Sequence, residues 1–81
     1  MKIELLLFAS MKEKIGKSKL EIEVSEPCTV QNLMEVLFQQ FPATLPFSRS
    51  ILVSVNQEFA HRGQVIHVQD EVAIFPPVSG G

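Results

Sequence analysis

A single cysteine, Cys28, is all the chain has for disulfide chemistry. No internal bridge can staple the fold, and a reducing compartment, the cytoplasm, is the expected location. No apolar run approaches the ~20 residues that cross a bilayer, and Met1-Lys2 leads into a strand pattern rather than a signal peptide. No membrane association is therefore expected. Seven Lys+Arg stand against nine Asp+Glu, for a net charge of −2, so the basic footprint of a nucleic-acid binder is missing. Repeats, low-complexity stretches and internal linkers are absent. So are a nucleophile elbow, a phosphate loop and a dinucleotide fingerprint. His61 and His67 have no supporting cluster of Cys or carboxylates, read as ordinary surface or loop histidines, and imply no metal site. Cys28 lies between Pro27 and Thr29, where a helix N-terminus can lower a thiol's pKa. It has no accompanying base, and the favoured reading is a small packed residue. The chain does not read as an enzyme by itself, and no tightly bound cofactor is expected.

What is present fits one soluble globular domain. With 81 residues, 46% hydrophobic and 20% charged, the chain can bury about 60 to 65% of its unfolded surface, a thin margin of stability. Lys2 to Ala9 alternates as a strand, with Ile3, Leu5 and Leu7 on one face and Lys2, Glu4, Leu6 and Phe8 on a second face that is not cleanly polar. Ser10 to Gly16 suits a short helical turn ended by Gly16. Lys19 to Val24 alternates again, Leu20, Ile22 and Val24 against Lys19, Glu21 and Glu23, and suggests a hairpin with the first strand.

Pro27 then breaks the chain, and Thr29 is a plausible N-cap for an amphipathic helix from Val30 to Phe41. Val30, Leu33, Met34, Leu37, Phe38 and Phe41 fall at helical spacing, and Pro42 stops the helix. Ala43 to Ser50 reads as loop with Leu45 and Phe47 tucked inward. Ile51 to Val55 is a third strand, Asn56-Gln57 a turn, and Glu58-Phe59-Ala60 a short continuation. Ala60 to Gln69 shows no clear pattern. Glu71 to Phe75 is the last strand, Val72 and Ile74 on one face and Ala73 and Phe75 on the other. The order predicts an α+β domain with one sheet and one principal helix. The first and last strands, both hydrophobic, suit central and adjacent positions, so that the C-terminus leaves the middle of the sheet.

The domain is expected to span residues 1–75, followed by an extended tail over residues 76–81. Pro76 and Pro77 lack amide donors and fix φ near −65°, which ends the sheet. Val78, Ser79, Gly80 and Gly81 offer little to pack, and a mobile tail is expected. At ~3.3 to 3.6 Å per residue it can carry a terminal carboxylate roughly 20 Å from the body, enough to enter another protein's active site. Phe8 and Phe75 are out of phase with the core face of their strands, and Phe59 follows an exposed turn. Isolated surface apolar residues are ordinary. On adjacent strands, however, Phe8 and Phe75 would make one patch at the root of the tail, and a contiguous patch marks a partner site.

The ending Phe75-Pro76-Pro77-Val78-Ser79-Gly80-Gly81, the preceding Asp70-Glu71-Val72-Ala73-Ile74, the stretch Val55-Asn56-Gln57-Glu58 and the first strand through Phe8-Ala9 closely resemble the small, sulfur-carrier subunit of molybdopterin synthase. The resemblance implies a ubiquitin-like β-grasp fold, one mixed sheet packed on one principal helix. It also implies that the terminal glycine, Gly81, carries sulfur as a thiocarboxylate. In that family an ATP-using, ubiquitin-activating-like adenylyltransferase adenylates the C-terminus, and sulfur from a persulfide donor replaces AMP. The loaded tail, here Pro76, Pro77, Val78, Ser79 and Gly80, then enters the large catalytic subunit of a heterotetramer of two small and two large subunits. There the sulfur passes to cyclic pyranopterin monophosphate. Phe8, Phe59 and Phe75 match the family's apolar partner-contact patch. One departure is Gln69, where the family usually has glycine before the Asp-Glu pair. That turn must be strained or built differently.

The chemistry agrees with the residues independently. An ionised terminal carboxylate, pKa ~3.3 to 3.7, is a poor electrophile until a leaving group is installed. Gly81 then places no side chain beside the reacting carbonyl. Two alternatives share the diglycine: a sulfur carrier for thiazole or thiolation pathways, against which Pro76-Pro77-Val78-Ser79 argues, and a ubiquitin-like modifier conjugated to lysines.

Overall fold

The computed structural model describes residues 1–76. The expected tail positions Pro77, Val78, Ser79, Gly80 and Gly81 lie outside the described residues. Strand β1 (Lys2–Leu7) leads into helix α1 (Ala9–Ile15) and returns as β2 (Lys19–Glu23); β3 (Cys28–Thr29) precedes the principal helix α2 (Val30–Gln40). A 3₁₀ helix (Pro42–Phe47) is followed by β4 (Leu52–Val55), β5 (Glu58–Phe59), β6 (Val65–Ile66) and β7 (Val72–Phe75). Among the described residues the main sheet has five strands in the order β2-β1-β7-β4-β5, and β3 with β6 forms a second sheet of two. β1 and β7 run parallel, Leu5 opposite Val72 and Leu7 opposite Ile74, and β4 flanks β7 antiparallel. The last strand is therefore central, as its hydrophobicity on both faces requires.

The period-2 pattern of β1 buries Ile3, Leu5 and Leu7, and that of β7 buries Val72 and Ile74. Ile51, Val53 and Val55 share the same buried face. Val30, Leu33, Met34 and Leu37 of α2 belong to the same core as these strand residues. Each fully buried aliphatic side chain contributes about 1.5 to 3 kcal/mol. The helix starts where the sequence predicts: Thr29 Oγ1 accepts from the Asn32 amide at 3.2 Å, and Asn32 Oδ1 accepts from the Thr29 amide at 3.1 Å, a reciprocal cap with Asn in the third position. α1 ends at Gly16, whose φ of 86° is the left-handed conformation that glycine adopts without a Cβ penalty.

Three local expectations change. The first strand stops at Leu7, and Ala9, at φ 51°, opens α1 instead. The segment read as loop is the 3₁₀ helix, whose three-residue repeat turns Thr44 and Phe47 toward the body and leaves Leu45 54% exposed. Thr44 is fully buried there and satisfies its hydroxyl by donating to Phe41 O at 2.7 Å. α2 ends at Gln40, with Phe41 as its C-cap.

The segment without a pattern is tied down by the start of α2. Val30 N donates to Gln64 O and Gln31 N to Arg62 O, both at 2.9 Å. β6 pairs antiparallel with β3, and the Arg62 guanidinium donates to Ser48 O at 2.8 Å. Amides of the first helical turn, which have no partner within a helix, thus find acceptors in this stretch.

Candidate partner-docking site

The sheet face turned away from α2 carries the out-of-phase apolar residues of four strands. Antiparallel register places Leu52 opposite Phe75, and Ser54 opposite both Ala73 and Phe59. Parallel register puts Leu6 beside Ala73. Phe8, one residue beyond β1, stacks on Phe75 with ring centroids 4.9 Å apart and planes 6° from parallel; Phe59 meets Phe75 edge-on at 6.2 Å and 73°. Phe8 and Phe75, singled out by phase, and Phe59, by its place after an exposed turn, are one cluster. Such aromatic pairs are worth about 0.5 to 1.5 kcal/mol each beyond the area they bury. Phe59 is nevertheless 74% exposed and Phe8 42% exposed, so the cluster presents apolar surface to solvent. A contiguous patch of this kind marks a place where a partner sits. Phe75 leads directly into Pro76, the first residue of the expected tail.

Sequence reasoning singled out the rings but missed what lies between them. Ser54 and Ala73, nearly buried, are the small residues among the three rings, and together with Leu6 they line a hollow of about 330 Å³. The available signal was that Ser54 and Ala73 are the two smallest out-of-phase residues on β4 and β7.

The hairpin that carries Phe59 is fixed by polar contacts. Asn56 and Gln57 have φ of 53° and 70°, the pair of left-handed residues a two-residue hairpin turn demands. Asn56 Nδ2 donates to Asp70 Oδ1 and Asn56 Oδ1 accepts from the Glu71 amide, both at 3.0 Å, while Asn56 N donates to Glu71 O at 2.7 Å. Asp70 Oδ2 accepts from the His67 amide at 2.8 Å, and Asp70 N donates to His67 O at 3.0 Å. The His67 amide first, and the Asn56 side chain next, hold the Asp70 carboxyl below the usual carboxylate range. This network replaces the glycine turn: Gln69 is not among the residues with positive φ, so the loop is built differently rather than strained.

Cys28 is fully buried, and burial pushes its thiol up rather than down, outweighing the lowering by the Leu33 amide and the N-terminal ammonium. His67 lies 3.5 Å from the Asp70 carboxylate, and His61 Nδ1 accepts from the Gly63 amide. Among the described residues no three His, Cys, Asp or Glu group as a metal-holding set. Among them, too, no helix is long and apolar enough to cross a membrane.

Comparison with known proteins agrees with this architecture. The profile of the ThiS family matches residues 5–81. The chain is 41% identical, over 96% of its length and 94% of the relative's, to the molybdopterin synthase sulfur carrier subunit of Dictyostelium discoideum. The crystal structure of SAMP1 from Haloferax volcanii superposes with a TM-score of 0.84 at 33% identity, covering 100% of both chains. A putative molybdopterin converting factor subunit 1 from Pyrococcus furiosus gives a TM-score of 0.86 at 22% identity, over 96% of this chain and 99% of that one, a likeness of fold. The sheet and helix are those of a ubiquitin-like β-grasp, and the chain belongs to the ThiS family.

Proposed function

We propose that this chain is the sulfur carrier subunit of a molybdopterin synthase, with Gly81 as the sulfur-bearing residue and residues 76–81 as the tail that delivers it. The observation that carries the reading is continuity. The exposed cluster joins Phe75, at the end of the central strand, to Phe8 just beyond β1 and to Phe59 on the edge strand β5, and Phe75 passes into Pro76-Pro77-Val78-Ser79-Gly80-Gly81. A protein that covers the cluster thereby receives the tail. The 41% identity to the D. discoideum carrier subunit supports the same pathway.

The chain supplies a substrate atom and a handle; its partners supply catalysis. An adenylyltransferase joins the Gly81 carboxylate to the α-phosphate of ATP and releases pyrophosphate. The terminal sulfur of a persulfide then attacks the carbonyl and AMP leaves, and a thiol cleaves the remaining S–S bond to free the thiocarboxylate. The large subunit takes the loaded tail, with the aromatic cluster as docking anchor, and passes sulfur to cyclic pyranopterin monophosphate.

The test is a C-terminal fragment beginning after Phe75, which contains no Met or Cys. Intact mass does not serve, because methionine oxidation adds nearly the same mass as exchange of oxygen for sulfur. After incubation with the activating enzyme, ATP and a sulfur donor, the fragment should have exchanged one oxygen for sulfur. A fragment that never gains sulfur while the enzyme consumes ATP sinks the assignment.

The 33% identity to SAMP1, a small archaeal modifier protein, favours one second reading, conjugation to lysines. The terminal atom separates them: a thiocarboxylate for the carrier, an isopeptide bond for the modifier.

A further inference from the structure

The outer face of the sheet is ordered in rows, and two adjacent rows differ in chemistry. One runs from Lys19 through Leu6, Ala73 and Ser54 to Phe59, and its two small residues, Ala73 and Ser54, lie on the floor of the hollow. The next is acidic. Glu4 is the register partner of Glu21. Glu71 lies one residue before Val72, the partner of Leu5, and so falls beside Glu4. Glu71 borders both depressions: it lines the apolar hollow, and with Glu4 and Glu21 it lines a second depression of about 300 Å³ that also includes Lys2 and Asp70. Like charges directly opposite each other on a sheet repel. Among the described residues the ion pair present is His67 with Asp70, so none of the three glutamates has a cation within bonding distance.

We propose that the hollow takes one apolar side chain of the large subunit, and that a lysine or arginine beside it on that subunit lies along Glu71, Glu4 and Glu21. This rests on the large-subunit reading above and adds the local chemistry of the partner surface. The hollow gives the apolar side chain a place between three rings, over the small residues Ser54 and Ala73. The acidic row then fixes the orientation, because only one placement of the partner brings its cation onto three carboxylates while its apolar side chain sits between the phenylalanines. Pairing opposite charges across an interface selects register and raises the association rate. A second copy of this chain is the poorer occupant, since each copy carries a net charge of −2.

The experiment titrates the full-length chain against the large subunit at several salt concentrations, with thermal unfolding recorded for every variant. Ala73→Leu fills the hollow from its floor and should weaken binding about tenfold or more, the scale of a lost interface anchor. Ser54→Leu fills it from the other side and serves if Ala73→Leu lowers folding stability. Glu71→Gln combined with Glu4→Gln should weaken binding at low salt and flatten its salt dependence, whereas Glu35→Gln, on exposed α2 surface, should change neither. A folded filling variant that binds like the wild type, or a double glutamine variant with the salt slope of Glu35→Gln, overturns the inference and leaves the carrier reading intact. Self-association through this face that competes with the large subunit also overturns it. No binding by the wild-type chain overturns the large-subunit reading itself, and this inference with it.

Discussion

Asn56 Nδ2 and Asp70 Oδ1 meet at 3.0 Å and join the turn before β5 to the loop before β7. The same Asn56 side chain accepts the Glu71 amide, so one residue closes the turn, holds Asp70 and fixes the start of the central strand. Asn56→Ala removes both side-chain bonds and puts a residue poorly suited to φ 53° in the turn. The expected cost is about 1 to 2 kcal/mol, read as a lower urea midpoint with an unchanged slope. Gln57→Gly, which frees the φ of 70° from its Cβ penalty, should raise the midpoint by about 0.5 kcal/mol equivalent.

Asp70 makes the stability of this junction depend on acid. Its folded pKa lies below the usual value because the His67 amide and the Asn56 side chain bond the ionised carboxylate. A depressed folded pKa means a contribution fully present above the unfolded value of about 3.9 and lost as pH falls through the lower folded one. Wild type should therefore lose more stability than Asp70→Asn between about pH 5 and pH 2. Parallel denaturant curves at those pH values check this, and equal acid slopes for the two proteins refute it.

Stability and docking should separate by sheet face. Leu37 is fully buried in the core, and Leu37→Ala should cost ~2 to 5 kcal/mol out of a total of ~4 to 12 kcal/mol at this length. Phe8→Ala should leave most of the stability, since Phe8 is 42% exposed, yet weaken capture by the activating enzyme and the large subunit. Unfolding as severe as that of Leu37→Ala would make the ring a core residue and remove the docking role.

One residue appended after Gly81 should abolish sulfur transfer while sparing partner affinity. On the proposed docking role, affinity should reside mainly in the aromatic cluster, whereas the added residue moves the carboxylate ~3.5 Å beyond its position and catalysis needs reacting atoms about 3 to 3.5 Å apart. The extended chain should compete with the native one as an inactive binder. Normal turnover by it would show that Gly81 does not bear the sulfur.

Elements that alternate cleanly, or that carry a marked cap, apolar spacing and stop, are legible in the chain alone. β1, β2, β4 and β7 follow from period-2 burial, α2 from its Thr29 cap, its spaced apolar residues and Pro42, and α1 from Met11, Ile15 and Gly16. Phase alone also marked Phe8 and Phe75, because an apolar residue on the wrong face of a strand is visible without a structure.

The tertiary structure decided whatever depends on partners distant in the chain. Residues 60–69 have no periodicity of their own because their order comes from accepting the first amides of α2 and pairing β6 with β3. Leu45, expected inward, is exposed and Thr44 is buried instead because a 3₁₀ repeat, not a loop, sets which side chains turn inward. Gln69 needs no left-handed backbone because Asp70 and Asn56, distant in sequence, close that turn with side-chain bonds. The stacking of Phe8 on Phe75, the Ser54 and Ala73 floor and the row of Glu71, Glu4 and Glu21 all depend on register between strands. A shift of one residue would turn every one of these side chains to the other face, and only the packed core, by burying one face, forbids it.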